Sequence, residues 1–322
     1  MTVKNSKICL LFAGGTAISD KDIKGSSVNG KKDINGWLEL VPEISLMASI
    51  EPVFVCADKD MSGIELWQNL ATEIYNRLNE AVGFVILTNL DSVLYSGVAL
   101  SLALKNINKP VILTSSQITE SNVKLPDWSQ KKVKAYGGLG VKANLINAVQ
   151  LATMNLPAVA LMFGNRIIRA VKAKRTGFLG LNIFSSVDDS YLGRIDFGIS
   201  LLEKYKPSTD EVFLKNKFES SVSVTDYFPG ADFLNILDIK TKGKVVRQLS
   251  DLKLLSNYKD SCPLVIYNRF LSEVSENQNI LTINNMTWET CLVKFLWSLG
   301  QSNKIDEIRG FMFNEQCNEF IR

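Results

Sequence analysis

KICLLFAGGTAIS (Lys7–Ser19) and GFVILTNLDSVLYSGVAL (Gly83–Leu100) decide the fold. Each carries a short run that is apolar at every position into a turn of small or polar residues. Runs of this kind read as strands buried on both faces of a sheet. Further runs with the same character are Val53–Ala57, Pro110–Thr114 and Ala158–Phe163. Between them lie longer stretches with apolar residues at helical spacing, Gly63–Asn79, Val93–Ile107 and Val141–Asn155. Strands that alternate with helices predict a doubly wound parallel α/β sheet covered on both faces.

Ligands of such sheets bind outside the carboxyl ends of the strands, where neighbouring connections diverge. The turns that follow the five runs carry Thr16; Asp58, Lys59 and Asp60; Leu90 and Asp91; Ser115 and Ser116; and Asn165 and Arg166. These residues define a crevice and leave the reaction open. The pattern loosens over VDDSYLGRIDFGISLLEKYKPSTD (Val187–Asp210), so a first domain is expected over 1–190, a linker over 191–215 and a second domain over 216–322. In the second domain Val222–Thr225, Val245–Leu249 and Pro263–Tyr267 read as strands. Thr287–Leu299 reads as a helix, with Thr287 as N-cap and Gly300 as stop. A smaller α/β domain is the expectation.

Composition narrows the chemistry. The 322 residues are 46% apolar and 21% charged, as in an ordinary globular protein, with a net charge of +3. The basic patch Lys131–Lys134 has no interleaved aromatic residues and reads as a solvated face, so no nucleic-acid partner is expected. Five cysteines, widely spaced and without a CxxC pair, indicate free thiols rather than a disulfide framework or a zinc site. No apolar run is long enough to span a membrane and no signal peptide is recognisable, so the expected location is cytoplasmic and no membrane partner is expected. The chain has no histidine, which removes Ser/His/Asp and Cys/His triads; any general base is a lysine, a carboxylate, a tyrosine or an activated hydroxyl.

Several separated segments, in order along nearly the whole chain, resemble the L-asparaginase family. LLFAGGTAIS resembles its first signature, a glycine turn presenting a nucleophilic threonine. WLELVPEI (Trp37–Ile44) resembles the segment after its lid, and ADKDMSGIELWQNLA (Ala57–Ala71) its substrate-binding turn. VILTNLDSVLYSGVALSLAL resembles the second signature, and KPVILTSSQ the strand after it. FGNRIIRAVKAKRTGFLGLNIFSS (Phe163–Ser186) resembles the stretch holding the catalytic lysine, and NNMTWETCLVKFLWSLG (Asn284–Gly300) a characteristic C-terminal helix.

The resemblance implies a threonine nucleophile, a second threonine held in a lysine and aspartate relay, no metal and no cofactor. Thr16 matches the lid threonine and Asp91 the relay aspartate. Leu90 stands where the second threonine is expected, and Arg175 at the lysine position, with Lys174 one residue before it. Leucine can neither attack nor pass a proton, and arginine stays protonated; Lys174 is the remaining candidate base. The resemblance places Asp58 and Lys59 where small hydroxyl or amide side chains hold the substrate's α-carboxylate. Ser116, Leu90 and Arg175 complete the candidate substrate contacts. The segment from Thr16 to Trp37 lacks the tyrosine that the family's lid usually carries, and the loop after PGADFLNILDIK is short.

Simpler roles stand beside these. Thr16 serves a tight turn equally well, Asp91 reads as a helix cap, and Lys172, Lys174 and Arg175 read as an exposed basic edge. Three functions stay open: an asparaginase-like chain that has lost efficient asparagine hydrolysis and works as a non-catalytic subunit; a weak or altered amidohydrolase using Thr16; and a small-molecule sensor. Each takes a small amino-acid-like ligand. By resemblance the chain forms a homodimer or tetramer, or pairs with a paralogue.

Overall fold

The computed structural model describes residues 6–16, 18–20, 23–57, 63–115, 140–177, 181–230, 237, 239–256 and 258–321. The chain divides into two units, Met1–Leu214 and Lys215–Arg322.

The first unit is built on an eight-stranded sheet. Its strands are β1 (Lys7–Ala13), β2 (Ser49–Cys56), β3 (Gly83–Thr88), β4 (Val111–Thr114), β5 (Val159–Phe163) and β6 (Arg166–Arg169), followed later by β9 (Gly193–Ile195) and β10 (Ile199–Leu201). The order across the sheet is β10-β9-β6-β5-β4-β3-β1-β2. The strands from β2 to β5 pair in parallel, and the edge from β5 through β6 and β9 to β10 is antiparallel. Every residue of β3, and all of β1 beyond Lys7, is buried, as strands covered on both faces must be. Two further strands, β7 (Ala173–Arg175) and β8 (Phe184–Ser186), form a separate antiparallel pair.

Helices α1 (Gly63–Asn76), α2 (Val93–Ala103) and α3 (Gly140–Ala152) supply the crossovers. Helix α2 is buried at ten of its eleven positions, so it is covered on all sides rather than amphipathic. It ends before the expected Ile107, because Leu104 leaves helical geometry and Asn106 adopts φ +59°. On the other face, Ile8, Leu10 and Phe12 pack with Val85, Leu87, Leu145 and Val149, and Phe12 meets Trp37 edge-on at 5.2 Å. Strands β9 and β10 fall inside the stretch read as a linker. Their shortness and outward-facing Arg194 and Ser200 gave them the composition of a loop.

The second unit has a four-stranded parallel sheet in the order β11 (Val222–Asp226), β12 (Gly243–Arg247), β13 (Leu264–Tyr267) and β14 (Ile280–Ile283). Strand β14 was not expected; ILTI is only four residues long and is flanked by asparagines that read as turn. Helices α4 (Trp288–Gln301) and α5 (Ile305–Phe313) cover one face, where Phe295, Ile308 and Met312 pack on Val245, Val265 and Leu281. Thr287 is the N-cap of α4, its hydroxyl accepting the Thr290 amide at 3.2 Å.

Gly300 differs from its expected role. The helix continues through it to Gln301, and its hydrogen side lies against the backbone of Lys217 and Phe218, where a Cβ would come 2.4 Å from the Lys217 carbonyl oxygen. Glycine is there for close approach, not for termination. An ordinary Gly→Ala exchange inside a helix gains about 1 kcal/mol. Gly300→Ala is expected instead to lose about 1–3 kcal/mol by overpacking, read as a lower urea midpoint; a higher midpoint would contradict this packing.

Candidate functional site

The sheet order 2-1-3-4-5 places the reversal between β1 and β3, and the crevice of a doubly wound sheet opens at their carboxyl ends. The two signature turns meet there. The Gly15 amide donates to Asn89 Oδ1 at 2.8 Å, tying the turn after β1 to the turn after β3. Gly15 has φ +61°, and a Cβ on it would stand 2.0 Å from the Thr88 carbonyl oxygen, so only glycine fits. The carboxyl ends of β4 and β5 are laced in the same way by α3. Buried Asn144 donates through Nδ2 to the Ser115 carbonyl at 3.4 Å and accepts the Gly164 amide on Oδ1 at 3.1 Å.

Thr16 is fully buried. Its Oγ1 accepts the Val28 amide at 2.9 Å and its carbonyl accepts the Trp37 indole N–H at 2.8 Å. The hydroxyl thus anchors returning chain to the turn. Among the described residues no hydrogen bond or ion pair joins Thr16 to Asp91, Lys174 or Arg175.

The second turn holds Thr88 and Ser92 with their hydroxyls 3.1 Å apart, and Ser92 is the N-cap position of α2. Half-buried Leu90 lies between them in the chain. The Asp91 carboxylate is free of the cap and pairs with Arg175, Nη1 to Oδ1 3.1 Å, while Arg175 Nε donates to the Gly177 carbonyl at 3.2 Å. Strand β7 delivers Arg175 opposite Phe184 and Lys174 opposite Ser185. Successive strand side chains point to opposite faces, so Arg175 rather than Lys174 reaches Asp91. With Asp91 89% exposed, the pair contributes at most about 1 kcal/mol to stability. Its importance is chemical, since a guanidinium holds its proton at every accessible pH.

Lys172 is not part of an exposed basic edge. Its side chain is 12% exposed and its ammonium lies 2.5 Å from Asp188 Oδ2. Ser186 and Ser190 hydroxyls and the Ser190 amide donate to Asp188 Oδ1. Burial alone would raise this carboxyl, but these hydrogen bonds outweigh it and hold the group well below the usual carboxylate range. The ionised form therefore stabilises the fold fully above its ordinary value of 3.8, and that contribution is lost as pH falls toward the folded value. Asp188→Asn is expected to cost about 1–3 kcal/mol at pH 7, with the gap to the native chain narrowing below about pH 4. Urea titrations at pH 7 and pH 3.5 check this, and a gap that widens in acid would contradict it.

Asp58, Lys59, Asp60, Ser116 and Lys131–Lys134 lie outside the described residues. Sequence reasoning missed Asn89 and Asn144, which hold the crevice together. An asparagine at position 144 inside an apolar helical stripe was the available signal. None of the five cysteines is in a disulfide, and burial pushes the Cys9 thiol up to about 12. Among the described residues no helix is long and apolar enough to cross a membrane.

A doubly wound sheet whose switch point joins a GGT turn to an NLDS turn defines a protein built on the asparaginase scaffold. The family described as "Asparaginase, N-terminal" matches residues 7–206, and this chain belongs to the asparaginase family. Curated relatives include the D subunit of the glutamyl-tRNA(Gln) amidotransferase of Sulfolobus acidocaldarius, 23% identical over 99% of this chain and 76% of that protein. The corresponding protein of Thermococcus kodakarensis is 25% identical over 97% of this chain and 76% of its own length. Among solved structures, the thermostable L-asparaginase from Thermococcus kodakarensis superposes with a TM-score of 0.77 at 20% identity, covering 98% of this chain and 99% of that one. L-asparaginase I from Vibrio cholerae gives 0.76 at 22% identity, covering 99% and 100%. At these identities the structural likeness establishes the fold.

Proposed function

We propose that this asparaginase-family chain has lost efficient hydrolysis of L-asparagine and that its crevice binds a small amino-acid-like ligand without turning it over. The observation that carries this reading is the Asp91–Arg175 ion pair beside Leu90. Amide hydrolysis without histidine or metal needs a hydroxyl nucleophile and a base able to take its proton. Position 90 offers hydrocarbon, and the group facing Asp91 is a permanent cation. Thr16 and Lys174 are the residues of the competing hydrolytic reading. That reading requires Thr16 Oγ1 to attack while its electron density is drawn by the bond from the Val28 amide, and Lys174 to act without contact to Asp91.

The same crevice is suited to holding a carboxylate. Arg175 presents a planar fork whose orientation is fixed by Asp91 and the Gly177 carbonyl. Asp58, Lys59, Leu90 and Ser116 are the further residues proposed to shape the ligand site. The relatives named as a subunit of an amidotransferase favour a role within an assembly; pairing with a paralogue, or a homodimer or tetramer, is the form proposed for it.

Calorimetric titration with L-aspartate and L-asparagine tests the binding. Saturable heat with no ammonia formed, weakened about tenfold in Arg175→Gln, is the expected result. Binding that leaves Arg175→Gln unaffected would remove the arginine from the site, and turnover of either amide would overturn the reading.

A further inference from the structure

A second cluster of cations lies at the antiparallel edge of the first sheet, on the turn after β5 that also borders the crevice. Arg166 on β6 and Arg194 on β9 are direct cross-strand partners. The next pair along is joined by a ladder bond, Ile195 amide to Asn165 carbonyl at 3.0 Å. The arginines therefore form the non-hydrogen-bonded kind of pair, in which opposed side chains come closest. Like charges directly opposite each other destabilise a sheet. Among the described residues no carboxylate forms an ion pair with Arg166 or Arg194, and Asp196 is the carboxylate that lines the cavity they share.

The arrangement is nevertheless ordered. Arg166 Nη1 donates to the Phe184 carbonyl at 3.3 Å, and its guanidinium sits 5.3 Å from the centre of the Tyr191 ring. Asn182 accepts the Asn165 amide on Oδ1 at 3.1 Å, which leaves its NH2 group as a donor. Asn165, Arg166, Asn182, Tyr191, Arg194 and Asp196 line a cavity of about 290 Å³, the volume of a small ligand.

We infer that this cavity is a binding site for a phosphoryl dianion, free phosphate or a small phosphate monoester. Two arginines directly opposite each other across the ladder, both lining the cavity, present more N–H donors than one planar carboxylate can accept. A tetrahedral oxyanion supplies both the third acceptor oxygen and the second charge. Binding removes the repulsion between Arg166 and Arg194, so the anion stabilises the native state through the pair that otherwise opposes it. Asp196, which lines the same cavity, opposes the dianion itself and suits a ligand whose remainder carries a hydroxyl. The site is independent of hydrolysis in the crevice and stands or falls separately from it.

The full chain is titrated by calorimetry with inorganic phosphate, glycerol 2-phosphate and succinate at matched ionic strength, beside Arg194→Gln and Arg166→Gln. Arg194 is exposed, so the first variant keeps the fold; circular dichroism verifies both. Saturable phosphate or ester binding, at least tenfold weaker in each variant and absent for succinate, is the expected result. A tighter ester assigns the site to a monoester, and equal or tighter phosphate to the free ion. Melting temperatures give a second reading. In chloride buffer Arg194→Gln melts at or above the native chain, and in saturating phosphate it melts below it. No saturable binding, unchanged binding in both variants, or succinate as tight as phosphate overturns the inference.

Discussion

Replacing Leu90 by threonine and Arg175 by lysine together is expected to raise asparagine hydrolysis at least about 100-fold over the native chain, while either change alone leaves it near background. A positioned general base contributes about 10²- to 10⁴-fold, but it does so only when a hydroxyl is present to be deprotonated. Groups that act as a unit are strongly non-additive. Asp91 is already in place, facing the side chain at position 175 across 3.1 Å. A lysine there can cycle between ammonium and amine, which a guanidinium cannot. The assay is ammonia release from L-asparagine by the two single variants and the double variant. Equal gains from the single changes would show that positions 90 and 175 do not work together, and no gain at all would place the loss in the substrate turn at Asp58 and Lys59.

The largest effect on stability is expected in the second unit. Lys294 on α4 and Glu319 are both fully buried, 2.5 Å apart. The ammonium also donates to the Met312 and Asn314 carbonyls at 3.1 and 3.0 Å. The carboxylate accepts the amides of Gln316 and Cys317. Every strong donor and acceptor in this cluster has a partner, so the chain that follows α5 is fastened to the core by charge. Removing one partner leaves an uncompensated buried ion, which costs about 3–5 kcal/mol. Glu319→Ala should lose that much in urea unfolding. Replacing the pair by apolar residues of similar volume, Lys294→Met with Glu319→Leu, should recover most of the loss. A loss under about 1 kcal/mol in Glu319→Ala would mean that water reaches the ammonium.

The strands that hold the crevice were legible because burial on both faces leaves no polar position to confuse the period; β1 and β3 are read from ICLLFA (Ile8–Ala13) and FVILT (Phe84–Thr88), each one residue short of the observed start. What escaped were pieces whose meaning comes from contacts distant in sequence. Strands β9 and β10 have a loop's composition because one side of each faces solvent, and Gly300 reads as a stop until Lys217 is seen against it. At the site, counting along the segment puts Arg175 at the lysine position, and the strand pairing turns Arg175 rather than Lys174 toward Asp91. Asn89 and Asn144 act by bridging turns that are 74 and 20 residues away along the chain. The Arg166–Arg194 opposition exists only once β6 and β9 are paired.

The proposed loss of the proton relay from an intact scaffold is tested by ammonia release from L-asparagine and L-glutamine, measured for the native chain beside Thr16→Ala. No release from the native chain above the level of the variant is the expected result. Release that depends on Thr16 would contradict it, and would mean that a working relay exists around Leu90 and Arg175.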